Sequence, residues 1–428
     1  MSRAPHRRTT ALAALLLAVA ALLWALPGSG GPRRAAGCTG RRIASWSVDS
    51  RQTAAFTRYG NDNTRTDDWT GGDGTHSVRL PDGRTLWLFS DTFLDRIQPP
   101  PNPQGRHSRW RTADHGTPYL RHNSLVVTSR SGRPERTLTG GTPTAPGPYF
   151  PDPPGGGWRW PVQARVEPRT PGAAERVVRV LLWRRTPGTG PWIFGMPYGT
   201  EVATLSLPGL HLERIDETVG PDATADPGRR VLYGAAAVRA GRWTYVYGAD
   251  DPPSVPASRA YLARVPVGRL ADRGSWRFWD GTHWQPRAGR AAPVLRDGGR
   301  RGVGSAFTVV RDGGGSSRAW VLFTMDTGGG GTAGMRTLTS YWACAPEGPW
   351  HGPNGRITPP RPPAPDPQYV VAYNPQAHPG PTTDGTLQLS YDINWLGPPG
   401  VPADPHVNGD VDLYRPRFLL VTMADAAP

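Results

Sequence analysis

The residues best suited to chemistry in this chain of 428 residues are two aspartates, Asp73 and Asp91, at the two ends of one predicted β-hairpin. Strand-forming segments flank Asp82-Gly83, a strong signal for a two-residue hairpin loop. Such a loop predicts that Asp73 lies opposite Thr92, so the two carboxylates meet at the open end. Paired carboxylates on a rigid support are what hydrolysis of a glycosidic bond requires. The alternative is that each aspartate only binds backbone N–H groups where a strand enters a turn.

Hydrolysis of a glycoside needs one group that protonates the leaving oxygen and one that attacks carbon or activates water. We assign Asp73 as the base or nucleophile and Asp91 as the group that positions or tunes it, because close carboxylates shift each other's pKa. The general acid should come from another part of the chain. Glu201, which opens the strand in YGTEVATLSLPG, is the leading candidate, and Glu167 is a weaker one.

The same hairpin pattern recurs along the chain as a strand, a glycine-containing turn and an aromatic-rich strand that often ends in aspartate. Four copies end in an acid, and a weaker copy ends instead in Arg184 and Arg185. The four terminal acids are Asp91, Asp250, Asp326 and Asp392.

Five such hairpins predict an all-β fold, a five-bladed β-propeller. The stretch of chain between successive hairpins is long enough for a four-stranded blade, and a ring of blades leaves few exposed edge strands. A β-sandwich does not explain the repeated terminal acid, and a parallel β-helix has a much shorter period. In a propeller the four acids would encircle one end of the central channel. The competing interpretation is a structural aspartate that caps the same turn in each blade.

The residue at the matching place on the upstream strand differs from copy to copy, as expected of a binding site rather than of a structural repeat. Amide and indole groups near these positions suit sugar hydroxyls and sugar ring faces. The predicted substrate-binding residues are Trp160, Asp250, Ser305, Asp326, Asn374, His378, Asp392 and Asn394.

The N-terminal segment has the pattern of an export signal. Two arginines precede an apolar run at 11–26, which is short for a membrane span. We therefore predict a signal peptide at 1–30, a linker at 31–48 and a single propeller domain at 49–428. The protein is expected to be secreted, extracellular or associated with the cell wall, and to be a monomer without a membrane segment once the signal is removed. The two cysteines, Cys38 and Cys344, are predicted to form one disulfide in an exported chain.

Charge and motifs exclude several classes of function. Residues 1–48 hold seven of the 49 basic residues and no acidic one, which leaves 42 basic against 34 acidic residues and lowers the net charge from +15 to +8. The remaining arginines are scattered, so nucleic-acid binding is not expected. The chain has no Cys-x-x-Cys zinc pattern, serine-hydrolase elbow or phosphate-binding loop. No metal or other cofactor is predicted.

Several motifs together resemble a family of exported actinobacterial proteins, long catalogued as a domain of unknown function, some of whose relatives are endo-D-arabinanases. They are GGDGTHSVRLPDGRTLWLFSDTF, HNSLVV, WRWPVQARV, YGTEVATLSLPGL, SYDINW and YRPRFLLV. The resemblance spans roughly Trp69 to Val421. It implies a five-bladed propeller with an acidic catalytic centre in the axial cleft, which Asp73 and Asp91 match. Similar propellers sometimes hold calcium in the channel, but no ligand set in this sequence requires it.

One departure from that family pattern follows Trp160-Pro161, where Val162-Gln163 stands in place of Gly-Asp. The first hypothesis is thus a secreted glycoside hydrolase that acts on a furanose-rich polysaccharide such as arabinan. The departure favours a second, a non-catalytic carbohydrate-binding propeller of the cell envelope. A wall-associated scaffold that docks through its proline-rich loops is the third.

Overall fold

The structure is a computed structural model that describes residues 38–426, apart from 65–68, 95, 102–109, 112–119, 143–144, 190–191, 193, 253–256, 296–301, 305, 313–318, 328–334, 380–385 and 399. The expected signal peptide therefore lies outside the described residues. Five antiparallel sheets form the blades, which confirms the all-β class and the five-bladed propeller.

The strands of each blade follow one another from the axis outward. Blade 1 consists of His76–Arg79, Thr85–Phe89, Ser124–Thr128 and Pro134–Leu138, and blade 2 of Trp158–Pro168, Arg176–Thr186, Met196–Leu205 and Leu212–Val219. Blade 3 consists of Leu232–Ala240, Trp243–Ala249, Ala260–Pro266, Arg277–Trp279 and Trp284–Gln285. Blade 4 consists of Thr308–Arg311, Trp320–Met325, Leu338–Ala343 and Arg356–Ile357, and blade 5 of Val370–His378, Thr386–Trp395, Arg417–Asp425 and Arg41–Val48.

Several smaller elements lie outside the five blade sheets. A three-stranded sheet contains Trp69–Gly72, Thr92–Leu94 and Leu120–Arg121, and two strand pairs contain Ile97–Gln98 with Trp110–Arg111 and Gly140–Thr142 with Ala145–Gly147. Two α-helices span Ser50–Gly60 (α1) and Asp404–Gly409 (α2). Short 3₁₀ helices span Pro221–Ala223, Pro227–Arg229, Arg273–Ser275, Ala288–Arg290, Pro367–Tyr369 and Val411–Tyr414.

The inner strands form a closed ring, because each one contacts the inner strand of the next blade and the fifth contacts the first. Stacked blades bury their middle strands on both faces. In blade 2, for example, every residue from Val177 to Trp183 is buried. Such a strand reads in the sequence as a continuous apolar run rather than as an alternating one.

The ring is closed by the two ends of the chain. Strand Arg41–Val48, in the segment expected to be a linker, pairs with Arg417–Asp425 as the outer strand of blade 5. Just before it, Cys38 is bonded to Cys344, with 5.8 Å between the two Cα atoms, which confirms the predicted pairing. The segment 38–48 is thus attached covalently to blade 4 and by a strand ladder to blade 5.

Helix α1 fills the junction between blades 5 and 1. Asp49 caps its N-terminus by accepting a hydrogen bond from the Gln52 backbone N–H at 3.0 Å. Phe56, near its middle, is fully buried. Its ring lies 5.1 to 5.8 Å from those of four aromatic residues, namely Trp69, Trp87, Phe89 and Phe418.

The first hairpin has a register one residue away from the predicted one. Its loop contains three residues, Pro81 to Gly83, and the Leu80 N–H donates to the Arg84 carbonyl at 2.9 Å. Gly83 has a φ of +90°, as expected of the last residue in a three-residue hairpin loop. The shift places Asp73, rather than Gly74, beside Asp91.

The aromatic cluster around α1 predicts a large difference between two phenylalanine substitutions. Phe56→Ala should lower the free energy of unfolding by about 3–5 kcal/mol because it leaves a cavity between two blades. Phe194→Ala is the matched control, since Phe194 is 50% exposed, and should change stability by less than about 0.5 kcal/mol. Chemical denaturation measures both, and equal losses would contradict the packing of Phe56 between the blades.

Candidate functional site

A cavity of about 350 Å³ lies at one end of the propeller axis and is lined by residues from all five blades. Its wall is largely apolar and aromatic, with a few polar groups, as is typical of ligand sites. The polar residues that line it are Asp73, His76, Ser90, Asp91, Arg185, Asp251, Ser258, Thr327, Asn374 and Asn394.

The inner strands are irregular where they reach this cavity. The pairing register shifts between Pro161 and Gln163 in blade 2, and again between Tyr373 and Gln376 in blade 5. A register shift of this kind redirects side chains away from the regular alternation of a strand. In blade 1 the strand is interrupted at Gly74, whose φ is +65° and where a Cβ would collide with the Ser90 side chain.

Asp73 lies at this interruption, directly beside Asp91 in the backbone. The Asp73 N–H donates to the Asp91 carbonyl at 3.2 Å, and the Ser90 N–H donates to the Asp73 carbonyl at 2.7 Å. The Asp73 Oδ2 accepts a hydrogen bond from the Tyr373 hydroxyl at 2.8 Å, whereas its buried Oδ1 accepts none from the residues that the structure describes. Burial raises the pKa of Asp73 well above its usual range, although the hydroxyls of Tyr373 and Tyr414 lower it in part.

Asp91 lies in a different environment from that of Asp73. Its side chain is half-buried, and its Oδ1 accepts a hydrogen bond from the Trp160 indole N–H at 3.1 Å. An indole N–H can only donate, so this bond favours an acceptor oxygen on Asp91. The two predicted catalytic aspartates thus share one wall of the cavity, as the sequence suggested, but have different partners.

Asp392 lies behind Asp73 rather than on the cavity wall. It is fully buried, and it accepts hydrogen bonds from the Gly74 N–H at 2.8 Å and the Thr75 hydroxyl at 2.6 Å. A third comes from the Asn374 side-chain amide at 3.2 Å. Burial and the neighbouring Asp73 both raise the pKa of Asp392. Its predicted role as a direct substrate contact does not agree with this position.

An ion pair between two residues of the cavity lining, Arg185 and Asp251, was not predicted from the sequence. Both terminal nitrogens of Arg185 lie 3.1 Å from Asp251 Oδ2, and the guanidinium lies 5.1 Å from the centre of the Trp160 ring. Arg185 is buried, and burial lowers its pKa. The available signal was the one hairpin copy that ends in arginines instead of an acid.

Glu201, the predicted general acid, does not line the cavity. Its side chain is 4% exposed and is bound by Arg159 through two nitrogens, with Arg184 at 3.6 Å. The side chain of Glu167 is also buried, accepting hydrogen bonds from the backbone N–H groups of Gly268 and Leu270. Both glutamates bind hydrogen-bond donors inside the protein, because a buried carboxylate is stable only when its oxygens have such partners.

The other predicted acids of the ring have structural partners as well. Asp250 is fully buried and accepts hydrogen bonds from Arg259 and the Tyr261 hydroxyl, and Asp326 forms an ion pair with Arg356 at 2.9 Å. His378 is buried between two serine hydroxyls, those of Ser77 and Ser390, and burial lowers its pKa to about 3.

Of the remaining predicted binding residues, Trp160, Asn374 and Asn394 line the cavity. Ser305 lies outside the described residues. Val162, the departure noted in the sequence, also lines the cavity and is 3% exposed. It lies at the register shift in the inner strand of blade 2, next to Gln163, which stands in the place of the aspartate in the family pattern.

The described part of the chain meets the requirements of neither a metal-ligand cluster nor a membrane-spanning helix. It contains no group of three or more His, Cys, Asp or Glu side chains arranged to hold a metal ion. Within the same residues, no helix has the length and apolar character needed to cross a membrane.

Residues 55–423 match the family model described as Domain of unknown function (DUF5005). Among solved structures, a protein described as a "putative hydrolase" from Bacteroides ovatus has the same fold, with a TM-score of 0.61 at 17% identity over 88% of this chain and 90% of that chain. Among curated proteins, none matches this sequence at a significant level.

Two more distant neighbours are enzymes. The family 43 arabinoxylan arabinofuranohydrolase of Bacillus subtilis has a TM-score of 0.44 at 11% identity, over 86% of this chain and 65% of that chain. A sialidase of Trypanosoma rangeli has a TM-score of 0.41 at 12% identity, over 84% of this chain and 46% of that chain. Similarities this low carry no argument about the chemistry of this chain.

The buried ion pair of Glu201 predicts a structural rather than a catalytic phenotype. Glu201→Ala should lower the free energy of unfolding by about 3–5 kcal/mol, because it leaves the buried Arg159 without a counter-charge. The same change at the exposed pair of Glu213 with Arg169 is the control, and should cost less than about 1 kcal/mol. Unchanged stability of Glu201→Ala in chemical denaturation would contradict this assignment.

Proposed function

The chain belongs to the DUF5005 family, and we propose that it is a glycoside hydrolase that cleaves a furanose-containing polysaccharide, such as arabinan, in the axial cavity. The observation that carries the proposal is the pair of carboxylates on one wall of that cavity. Asp73 and Asp91 are adjacent through the backbone but differ in burial and in hydrogen-bond partners. Two carboxyl groups with different environments are the minimum that hydrolysis of a glycoside needs.

The environments of the two groups favour definite roles. The raised pKa of Asp73 suits a carboxylic acid that keeps its proton until it gives it to the leaving oxygen. Asp91 accepts the hydrogen bond of Trp160 and suits the nucleophile or the base that activates water. This assignment exchanges the roles that the sequence alone suggested, and the reason is the burial of Asp73.

The rest of the cavity suits a sugar. Trp160 and Trp183 present aromatic surface, on which the C–H faces of a furanose ring can pack. Asn374 and Asn394 offer amide groups that can bind ring hydroxyls. The disulfide between Cys38 and Cys344 supports action outside the cytoplasm, where such bonds persist and where polysaccharides are found.

The proposal predicts which aspartates matter for turnover. Asp73→Asn and Asp91→Asn should each lower the rate of oligosaccharide release from arabinan by about 10²–10⁴-fold, the usual contribution of one acid–base group. Release can be followed by chromatography of the products, with folding checked by circular dichroism.

Asp326→Asn is the matched control for these variants. Asp326 ends the equivalent hairpin of blade 4, but it pairs with Arg356 and does not line the cavity. The control should retain wild-type turnover. Full activity of Asp73→Asn would remove Asp73 from the mechanism, and an equal loss in the control would point to a general effect of removing charge.

A second candidate function is binding of a glycan without cleavage. The observation in its favour is that, among the other residues lining the cavity, Asp251 is paired with Arg185 and Val162 is apolar. Under this proposal the wild-type protein binds arabinan oligosaccharides saturably and releases no product. Trp160→Ala should then weaken binding in calorimetry by about 1–3 kcal/mol through the loss of its buried aromatic surface, and detection of products from the wild-type protein would decide for hydrolysis.

A further inference from the structure

A third carboxylate, Asp392, lies behind the cavity wall and faces Asp73 rather than the cavity. The two residues are far apart in the sequence and meet where blade 5 joins blade 1. Asp392 is completely buried, and it binds the backbone of Gly74, the residue that follows Asp73. Burial raises the pKa of both carboxyl groups, and the neighbouring Asp73 raises that of Asp392 further, so the pair holds one proton up to about neutral pH.

The hydrogen bonds of Asp392 favour its charged form. The Gly74 N–H and the Asn374 amide both donate to Oδ2, at 2.8 and 3.2 Å, and the Thr75 hydroxyl donates to Oδ1 at 2.6 Å. Backbone and amide N–H groups can only donate. A proton on Oδ2 would lose two of these bonds, and a proton on Oδ1 would compete with the Thr75 hydroxyl.

The hydrogen bonds of Asp73 leave room for a proton. Its Oδ2 accepts from the Tyr373 hydroxyl and the Tyr414 hydroxyl also lowers its pKa, while its Oδ1 has no hydrogen-bond partner among the described residues. A proton on Oδ1 therefore breaks no existing bond. Of the two carboxyl groups, Asp392 has donors on both oxygens, which favours its anion, whereas Asp73 can take a proton on Oδ1 without losing a hydrogen bond.

Among the described residues of the elements that pack against Asp73, no positively charged side chain balances the negative charge shared by Asp73 and Asp392. Burial lowers the pKa of the nearby His76 to about 3, so its ring is uncharged at neutral pH. Burial also raises the pKa of the Tyr373 and Tyr414 hydroxyls, which remain protonated. The other acidic groups near Asp73 are thus the carboxyl groups of Asp91 and Asp392.

We infer that Asp392 is a positioning residue whose buried negative charge keeps the shared proton on Asp73, making Asp73 the general acid of the site. This inference rests on the proposed glycosidase function. In the reaction the glycosidic C–O bond breaks and the leaving oxygen takes the Asp73 proton. The attacking water supplies a hydroxyl to the anomeric carbon and a proton that returns to the carboxylates, so the site is restored.

Asp392→Asn tests the inference through the pH dependence of kcat/KM on an arabinan oligosaccharide. Removing the negative charge should let Asp73 lose its proton at lower pH. The alkaline limb of the profile, which reports a general acid, should move down by about 1–3 pH units. A purely structural role would lower the rate at every pH without moving the limb.

Thr75→Val provides a milder test that preserves the shape of a fully buried side chain. It removes one hydrogen bond to Asp392, so the shared proton moves toward Asp392 and the alkaline limb should shift in the same direction by a smaller amount. Thr75→Ser keeps the hydroxyl and should retain the wild-type profile. A limb that stays in place in both Asp392→Asn and Thr75→Val overturns the inference.

A readout without turnover separates this inference from the proposed function. The carboxyl ¹³C signal of Asp73, assigned with Asp73→Asn, can be titrated by NMR in wild-type protein and in Asp392→Asn. A high midpoint that falls in the variant supports the inference even if no glycan is cleaved, in which case only the proposed hydrolysis fails. An equal midpoint in the two proteins overturns it.

Discussion

The junction between the first and the last blade is the constraint on which the candidate site depends. Strand Arg41–Val48 pairs with Arg417–Asp425, so the two ends of the chain complete one sheet, and α1 fills the space between that sheet and blade 1 with the ring of Phe56. At the cavity end of the same junction, Asp392 binds Gly74 and Thr75 across the two blades. The closure of the ring and the acidic centre therefore depend on some of the same contacts, those of Asp392 with blade 1.

The cavity lies where the strands stop being regular. A regular inner strand alternates its side chains between the two faces of a blade and would present few of them along the axis. Register shifts in blades 2 and 5, and the interruption at Gly74 in blade 1, turn Trp160, Asn374 and Asp73 toward the axis instead. The middle strands, such as Val177 to Trp183, stay regular and buried and supply the rigid support.

Equivalent acids in the repeated hairpin have different chemistry because their neighbours differ. Asp250 is neutralised by Arg259, and Asp326 by Arg356. Asp392 has no cationic partner among the described residues and is held by neutral donors, which leaves its charge to act on Asp73. Blade 2 departs most from the pattern, since Arg185 takes the place of the acid and pairs with Asp251 in the cavity lining. The repeated hairpin places its terminal residues around the axis, and the hydrogen-bond and ion-pair partners of each residue determine its chemical role.

The sequence by itself determined the all-β class, the five blades, the disulfide and the placing of Asp73 and Asp91 at the same end of one hairpin, because these follow from local strand patterns, turn residues and cysteine number. It could not determine the partners of each charged group. Glu201 was predicted to be an available acid at the start of a strand, but it is bound by Arg159. Asp392 was predicted to contact the substrate, but it lies behind the cavity wall and binds Gly74. Hydrogen bonding and burial join residues hundreds of positions apart, and a one-residue register shift turns a side chain from one face of a strand to the other. Only the tertiary structure therefore decided which carboxylates reach the cavity and which one is placed to hold the proton.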